Sequence, residues 1–214
     1  MAQILVINPN RSDACSAGID AAIRPLRFAG GPTVTVATAA DGPPAVYSWR
    51  DWHAAVGPVC QIIETTQADA YVIACASDPG IEAARATTTR PVFGVFRCAI
   101  AAAVVQSERF GVIAIVEASK ARHLLALRSM GLADRLAGEI ALNVTMDALL
   151  DPVLTRARLI DAAHGLVSAG AGAIVLGCTG MAGHRAAIEV AAGVPVIEPC
   201  QAGVVQAMGA MAGR

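Results

Sequence analysis

The chain has 214 residues, of which 55% are hydrophobic and 4% aromatic, and its formal net charge is −1. This length fits one large domain or two small lobes, and the low charge argues against a disordered chain. No block of like charges occurs, which argues against nucleic acid or an anionic membrane surface as the main partner.

Apolar runs alternate with longer segments of helical spacing along the whole chain. Strands are predicted at residues 4–7, 34–37, 71–75, 92–95, 110–116, 173–176 and 195–197, and helices at 13–28, 49–66, 81–86, 99–106, 119–130, 151–169 and 201–211. This alternation predicts an α/β fold in which parallel sheets are covered by helices on both faces.

The sequence shows no targeting or membrane-spanning pattern. The first apolar run stops at Asn8 without a basic leader, and glycines interrupt the charge-free stretch between His164 and His184. We therefore expect neither a signal peptide nor a membrane helix, and a cytoplasmic protein.

The two halves of the chain resemble each other. Cys75 and Cys178 are 103 positions apart, Pro91 and Pro195 are 104 apart, and strands 4–7 and 112–115 are 108 apart. The alternative is coincidence, because every α/β protein repeats strand and helix. Two copies of one unit predict one lobe at residues 1–97 and 200–214, a second at residues 98–199, and a cleft between them with one cysteine on each wall.

Six cysteines are present: Cys15, Cys60, Cys75, Cys98, Cys178 and Cys200. We expect free thiols, because the chain is not small and shows no secretion signal. No metal site is predicted, since the one close Cys/His neighbourhood, Cys178 with His184, lacks the paired spacing of a zinc site. All of these cysteines except Cys75 and Cys178 are interpreted as small buried hydrophobic residues.

Cys75 and Cys178 each follow a buried strand and precede a turn into a helix, within Ala74-Cys75-Ala76-Ser77-Asp78 and Gly177-Cys178-Thr179-Gly180. Ligands bind at this carboxyl edge in open α/β sheets, and the N–H groups of the next helix stabilise anions there. A thiolate and a thiol that face each other can remove a proton from one face of a carbon and return one to the other. The pair therefore indicates acid/base chemistry at carbon.

At these motifs, and at Ile7-Asn8-Pro9-Asn10, the sequence resembles the aspartate/glutamate/hydantoin racemase superfamily, and within it the hydantoin and allantoin racemase branch. The resemblance implies two α/β lobes related by a pseudo-twofold axis, with the active site at their interface. It further implies a two-cysteine, two-base mechanism without a cofactor, a small-molecule substrate and a homo-oligomer.

The resemblance also implies substrate-binding residues around the two catalytic cysteines: Asn8, Asn10, Ser48, Ala76, Ser77, Thr179 and Gly180. Asn8 and Asn10 are equally consistent with capping the turn around Pro9. Arg97 stands where the branch has a different residue, and it either pairs with a substrate carboxylate or lies on the surface. The aromatic loop at residues 41–52 forms either a lid or a subunit contact.

The leading hypothesis is therefore a racemase of a hydantoin- or allantoin-type ureide, whose ring C–H lies between a carbonyl and a nitrogen. The alternatives are an aspartate/glutamate-type amino-acid racemase and a related decarboxylase or cis–trans isomerase. The presence of Cys75 argues against the decarboxylase, which keeps the second cysteine alone. A small-ligand binding module on the same scaffold is the non-enzymatic alternative, and it would need neither thiol.

Overall fold

The computed structural model describes residues 2–149 and 152–212. The first half contains β1 Gln3–Asn8, α1 Asp13–Ile23, β2 Thr33–Thr38, α2 Trp49–Ala54, α3 Val56–Thr65, β3 Ala70–Ile73, α4 Ile81–Thr87, β4 Val92–Gly94 and α5 Val95–Gln106. The second contains β5 Phe110–Ala114, α6 Ser119–Ser129, β6 Leu136–Ala141, α7 Met146–Leu149, α8 Pro152–Ser168, β7 Ala173–Gly177, α9 Arg185–Ala192, β8 Val196–Ile197 and α10 Pro199–Ala212. Within these residues, no helix combines the length and apolar character required to cross a membrane.

Within residues 2–149 and 152–212, the strands form two separate four-stranded sheets with the same topology. The first has the order β2-β1-β3-β4 and the second the order β6-β5-β7-β8. Every pairing between neighbouring strands is parallel. The prediction of two similar α/β lobes with parallel sheets is therefore confirmed, and β3 corresponds to β7 in the repeat.

The central strands are buried on both faces, as strands in parallel sheets are when helices cover both sides. One face of β1 packs Ile4 and Val6 against Ile19 and Ile23 of α1. The opposite face packs its remaining apolar side chains against α3. Strands β3, β5 and β7 are buried along their whole length. This burial explains why their sequences are continuous apolar runs.

Several elements differ from the sequence prediction. The first helix ends at Ile23 and continues as a short 3-10 helix that contains Pro25, whose missing N–H removes a helical hydrogen bond. The helix predicted over 49–66 is divided at Ala55 into α2 and α3. Strand β6 was not predicted because its residues are all half-buried and carry no apolar run. The predicted start of α8 at Asp151 lies outside the described residues.

The closing helix α10 returns to the first sheet. Its Val204 and Ala207 pack with Val72 of β3 and Val95 of α5 in one apolar cluster. Helix α5 contacts strands of both sheets, among them β4 and β7. The lobe boundary expected near residue 97 falls within this shared helix, and the division of the chain at that point stays a prediction.

Two glycines in α10 provide a paired test of this packing. A Cβ on Gly203 would lie 2.8 Å from Val72 Cγ1 and 3.0 Å from Val95 Cγ1, whereas a Cβ on the exposed Gly209 would meet nothing within 4 Å. We expect Gly203→Ala to lower the free energy of unfolding by about 1–3 kcal/mol, because the added methyl group would overpack the core. Gly209→Ala should raise it by about 0.5–1 kcal/mol through helix propensity. Urea unfolding measures both, and equal effects would contradict the close approach of α10 to β3.

Candidate active site

A cleft lies between the two lobes, with an empty volume of about 480 Å³. Residues at the carboxyl ends of β3, β5 and β7, the segment 45–47 and the start of α6 line it: Asn10, Ala45, Val46, Tyr47, Ala74, Cys75, Ala76, Ser77, Ile115, Ser119, Arg122, His123, Gly177, Cys178 and Thr179. Both cysteines therefore border the same space.

The turn after β3 fixes the position of Cys75. The Cys75 carbonyl accepts hydrogen bonds from the N–H groups of Ser77 (2.8 Å) and Asp78 (2.9 Å). Asp78 has a φ of 47° and is completely buried. Its carboxylate accepts hydrogen bonds from the N–H groups of Phe96 (2.8 Å) and Arg97 (3.0 Å) in the first turn of α5. The cysteine turn is thus anchored to the helix that both sheets contact.

The turn after β7 places Cys178 in the corresponding position of the second sheet. A Cβ on Gly177 would lie 2.6 Å from the Ile113 carbonyl oxygen, so the close approach of β7 to β5 requires glycine here. The Cys178 carbonyl accepts a hydrogen bond from the Met181 N–H (3.1 Å), which starts a 3-10 helix at Thr179–His184. The Gly180 N–H donates to the Cys178 thiol.

Removal from water disfavours both thiolates. Desolvation raises the pKa of the Cys178 thiol to about 12, although a hydrogen bond from the Gly180 N–H partly offsets this increase. Desolvation also raises the pKa of Cys75, against hydrogen bonds from the Ser77 hydroxyl and N–H and the charge of Arg122. The charge of Cys75 raises the pKa of Cys178 further. The cleft therefore accommodates one thiolate more readily than two.

Four of the predicted substrate-binding residues line the cleft, namely Asn10, Ala76, Ser77 and Thr179. Gly180 lines a neighbouring cavity between α1 and the 3-10 helix after β7. Among the described residues, no group of three or more His, Cys, Asp or Glu side chains is placed to hold a metal ion. The assignment of these residues to substrate contact stays a prediction.

Asn8 and Ser48 do not line the cleft, and both make local hydrogen bonds. The completely buried Asn8 amide donates to Asn10 Oδ1 (3.2 Å), Ser12 O (3.1 Å) and Ser16 Oγ (3.0 Å). Asn8 thus orients Asn10, which fits the alternative in which these residues shape the turn. Ser48 caps α2 in a capping box with Asp51.

Arg97 and the two tryptophans lie beside the cleft. Arg97 forms ion pairs with Asp78 (3.1 Å) and Glu82 (2.9 Å) and does not line the cleft. Arg97 is therefore not in position to bind a substrate carboxylate in this cleft, and it is not a free surface residue either.

The tryptophans of α2 lie next to the Cys75 turn. Trp52 Nε1 donates to the Ser77 carbonyl (2.9 Å), so α2 braces this turn. Trp49 and Trp52 border an adjacent cavity with Arg97, whereas Tyr47 lines the cleft itself.

Three cleft residues from α6 were missed in the sequence: Ser119, Arg122 and His123. They were detectable in principle, because α6 follows the carboxyl end of β5, which the repeat places at the cleft edge. His123 is buried, forms a hydrogen-bonded pair with Glu139, and stacks on Phe96 at a centroid distance of 4.5 Å. These contacts give His123 a structural role, although the residue also lines the cleft.

Comparison with known proteins agrees with this architecture. The family model described as Asp/Glu/Hydantoin racemase matches residues 4–207. The hydantoin racemase of Paenarthrobacter aurescens is 32% identical over 94% of this chain and 87% of its own length, and that of Pseudomonas sp. (strain NS671) is 32% identical over 94% and 83%. Among solved structures, allantoin racemase from Klebsiella pneumoniae superposes with a TM-score of 0.92 at 28% identity, covering 99% of this chain and 88% of that one. This chain therefore belongs to the Asp/Glu/hydantoin racemase family, and the prediction of an isomerase of the racemase class is confirmed.

Proposed function

We propose that this protein racemises a hydantoin- or allantoin-type ureide by a two-base mechanism in which Cys75 and Cys178 act from opposite faces of the substrate. The single observation that carries the proposal is that both cysteines, from corresponding strand ends of the two lobes, border one cleft. The names of the similar racemases, hydantoin and allantoin racemase, support the substrate class. A cytoplasmic location and a homo-oligomer remain predictions.

The proposed reaction exchanges one proton at one carbon. A thiolate removes the proton from the ring carbon between a carbonyl and a nitrogen, which leaves a planar enolate. The opposite thiol then delivers its proton to the other face, and the two sulfurs exchange protonation states. Backbone N–H groups of Ala76 and Thr179, both residues of the cleft lining, are the proposed donors to the enolate oxygen.

The electrostatics of the cleft suit this exchange. Because a negative charge on Cys75 raises the pKa of Cys178, the state with one thiolate and one thiol is favoured over the state with two thiolates. A base and an acid are then available together in the same enzyme form. Desolvation also keeps the thiolate poorly hydrated, which makes it a stronger base toward carbon than a thiolate in water.

Single replacement of the catalytic thiols tests the function. Cys75→Ser and Cys178→Ser should each lower kcat for racemisation by about 100-fold or more, since each removes one acid/base group. Polarimetry with 5-substituted hydantoins, allantoin, aspartate and glutamate measures the loss and identifies the substrate class. Cys60→Ser, in α3 and outside the cleft lining, is the matched control and should keep normal activity.

Thermal unfolding of the three variants separates chemistry from folding, because the serine replacements should leave the Tm within a few degrees of the parent. Full activity in both cleft variants would refute the enzymatic proposal. Racemisation of aspartate or glutamate without any activity on the ureides would refute the substrate class.

The raised thiol pKa values predict the pH dependence. A thiol with a raised pKa is mostly protonated at neutral pH, so the fraction of enzyme with one thiolate increases as the pH rises toward that pKa. We expect kcat/KM to increase from pH 7 to pH 9 with a slope approaching about tenfold per pH unit. Initial rates, corrected for the enzyme-free reaction at each pH, measure this. A constant or falling profile would show that thiolate formation does not control the reaction.

A further inference from the structure

Arg122 is a buried arginine held in one orientation at the edge of the cleft. Its side chain is 3% exposed. Nη1 donates to the carbonyl oxygens of Tyr47 (3.2 Å) and Ala118 (3.1 Å), and Nη2 donates to Val46 O (3.4 Å) and Ser119 Oγ (3.1 Å). All four acceptors are neutral. The guanidinium is therefore fixed between the segment 45–47 of the first lobe and helix α6 of the second.

This positive charge has no close counter-charge in the described part of the chain. No carboxylate there lies within ion-pair distance of Arg122, and its buried Nε has no hydrogen-bond partner. Asp51 interacts with it electrostatically but is hydrogen-bonded to Ser48 and to the Tyr47 N–H. Buried charges are normally paired. The centroid of a Trp49 ring lies 6.0 Å from the guanidinium carbon, but a ring face does not neutralise the charge. A buried cation without a carboxylate partner beside a ligand cleft thus indicates an anion that forms in the cleft.

The two cysteines differ in their relation to this charge. Arg122 and both cysteines line the same cleft. Arg122 also borders the adjacent cavity together with Ser77 of the Cys75 turn, whereas the described residues of the Cys178 turn do not line that cavity. The electrostatic interaction of Arg122 with Cys75 agrees with this placement. Cys75 also has the Ser77 hydroxyl 3.6 Å from its sulfur. Among the groups that act on Cys178 are the Gly180 N–H and the charges of Cys75 and Cys15.

We infer that Arg122 is a positioning residue that keeps the single negative charge of the cleft on Cys75 rather than on Cys178. The inference rests on the proposed function, because it assigns the base and the acid within the same pair of thiols. In the enzyme form that has lost one thiol proton, Cys75 is the base and Cys178 the acid. The enantiomer whose hydrogen faces Cys75 reacts directly with this form.

The other charged groups around Cys75 do not replace Arg122. Asp78 opposes a thiolate at Cys75, but its own charge is balanced by Arg97. Desolvation raises the pKa values of the Cys178 and Cys200 thiols, and a negative charge on Cys75 raises both pKa values further. His123, on the same helix as Arg122, is paired with Glu139. Among the residues that the structure describes, Arg122 is therefore the cation available to a Cys75 thiolate.

Residue-resolved alkylation tests this assignment without substrate. The protein is treated with iodoacetamide between pH 6 and pH 10, and initial rates at each cysteine are read by peptide mass spectrometry. Because the thiolate is the reactive form, Cys75 of the parent protein should be alkylated about tenfold faster than Cys178 at pH 7.5. Faster alkylation of Cys178 in the parent protein would overturn the inference before any variant is made.

Arg122→Gln should slow alkylation of Cys75 about tenfold at pH 7.5 and move its pH profile upward by about one unit, with no slowing at Cys178. Arg122→Lys, which keeps the charge, should remain within about threefold of the parent rate. A purely structural role predicts the opposite sign, since a loosened segment 45–47 would expose both thiols and speed both reactions. That result, or a Lys variant that behaves like the Gln variant, would overturn the inference.

Arg185→Gln is the matched control. Arg185 is a partly exposed arginine whose Nε donates to the Val196 carbonyl (2.8 Å) away from the cleft, and its replacement should leave the Cys75 profile unchanged. A change as large as that of Arg122→Gln would show that the effect is not specific. Alkylation requires no turnover, so it tests the assignment of the charge separately from the racemase assay. If the protein is inactive but Cys75 is alkylated faster than Cys178, the proposed function is refuted and the assignment of the charge to Cys75 stands.

Discussion

Mutual repulsion between two thiolates in one desolvated cleft is the constraint on which the account depends. Desolvation alone raises the pKa of each thiol, and a charge on Cys75 raises that of Cys178 again. The favoured charged state therefore has one thiolate and one thiol. Such a state is asymmetric even though the two lobes repeat one topology, and a two-base racemisation needs that asymmetry because a base and an acid must act in the same turnover.

The fold creates this asymmetry with few residues. Both sheets end in a cysteine followed by a tight turn, but the surroundings of the two turns differ. The Cys75 turn is anchored through Asp78 to α5 and braced by Trp52 of α2. The Cys178 turn depends on the glycine that lets β7 approach β5. A buried arginine from the second lobe, Arg122, lines the cleft and interacts electrostatically with the cysteine of the first. The lobes are thus complementary rather than equivalent.

Much of this arrangement could be predicted from the sequence, because its determinants are local. Buried parallel strands are continuous apolar runs, and the matched positions of Cys75 and Cys178 indicated two lobes with a shared cleft. The role of Arg122 could not be predicted, since it depends on contacts with the carbonyls of Val46 and Tyr47, about 75 positions away in the chain. Strand β6 was missed because its half-buried residues lack an apolar run. The role of Arg97 was ambiguous in the sequence because its partners, Asp78 and Glu82, are 19 and 15 positions away in the chain.

The central claim is that two sulfurs act on one carbon from opposite faces, and hydrogen-isotope incorporation tests it most directly. One enantiomer of the substrate is racemised in deuterium oxide, and both enantiomers are analysed during the first few per cent of conversion. Two one-sided bases predict that the inverted product carries solvent deuterium while the recovered substrate keeps its hydrogen. Equal early labelling of substrate and product would contradict the account, because it would require a single base that returns exchanged protons to both faces.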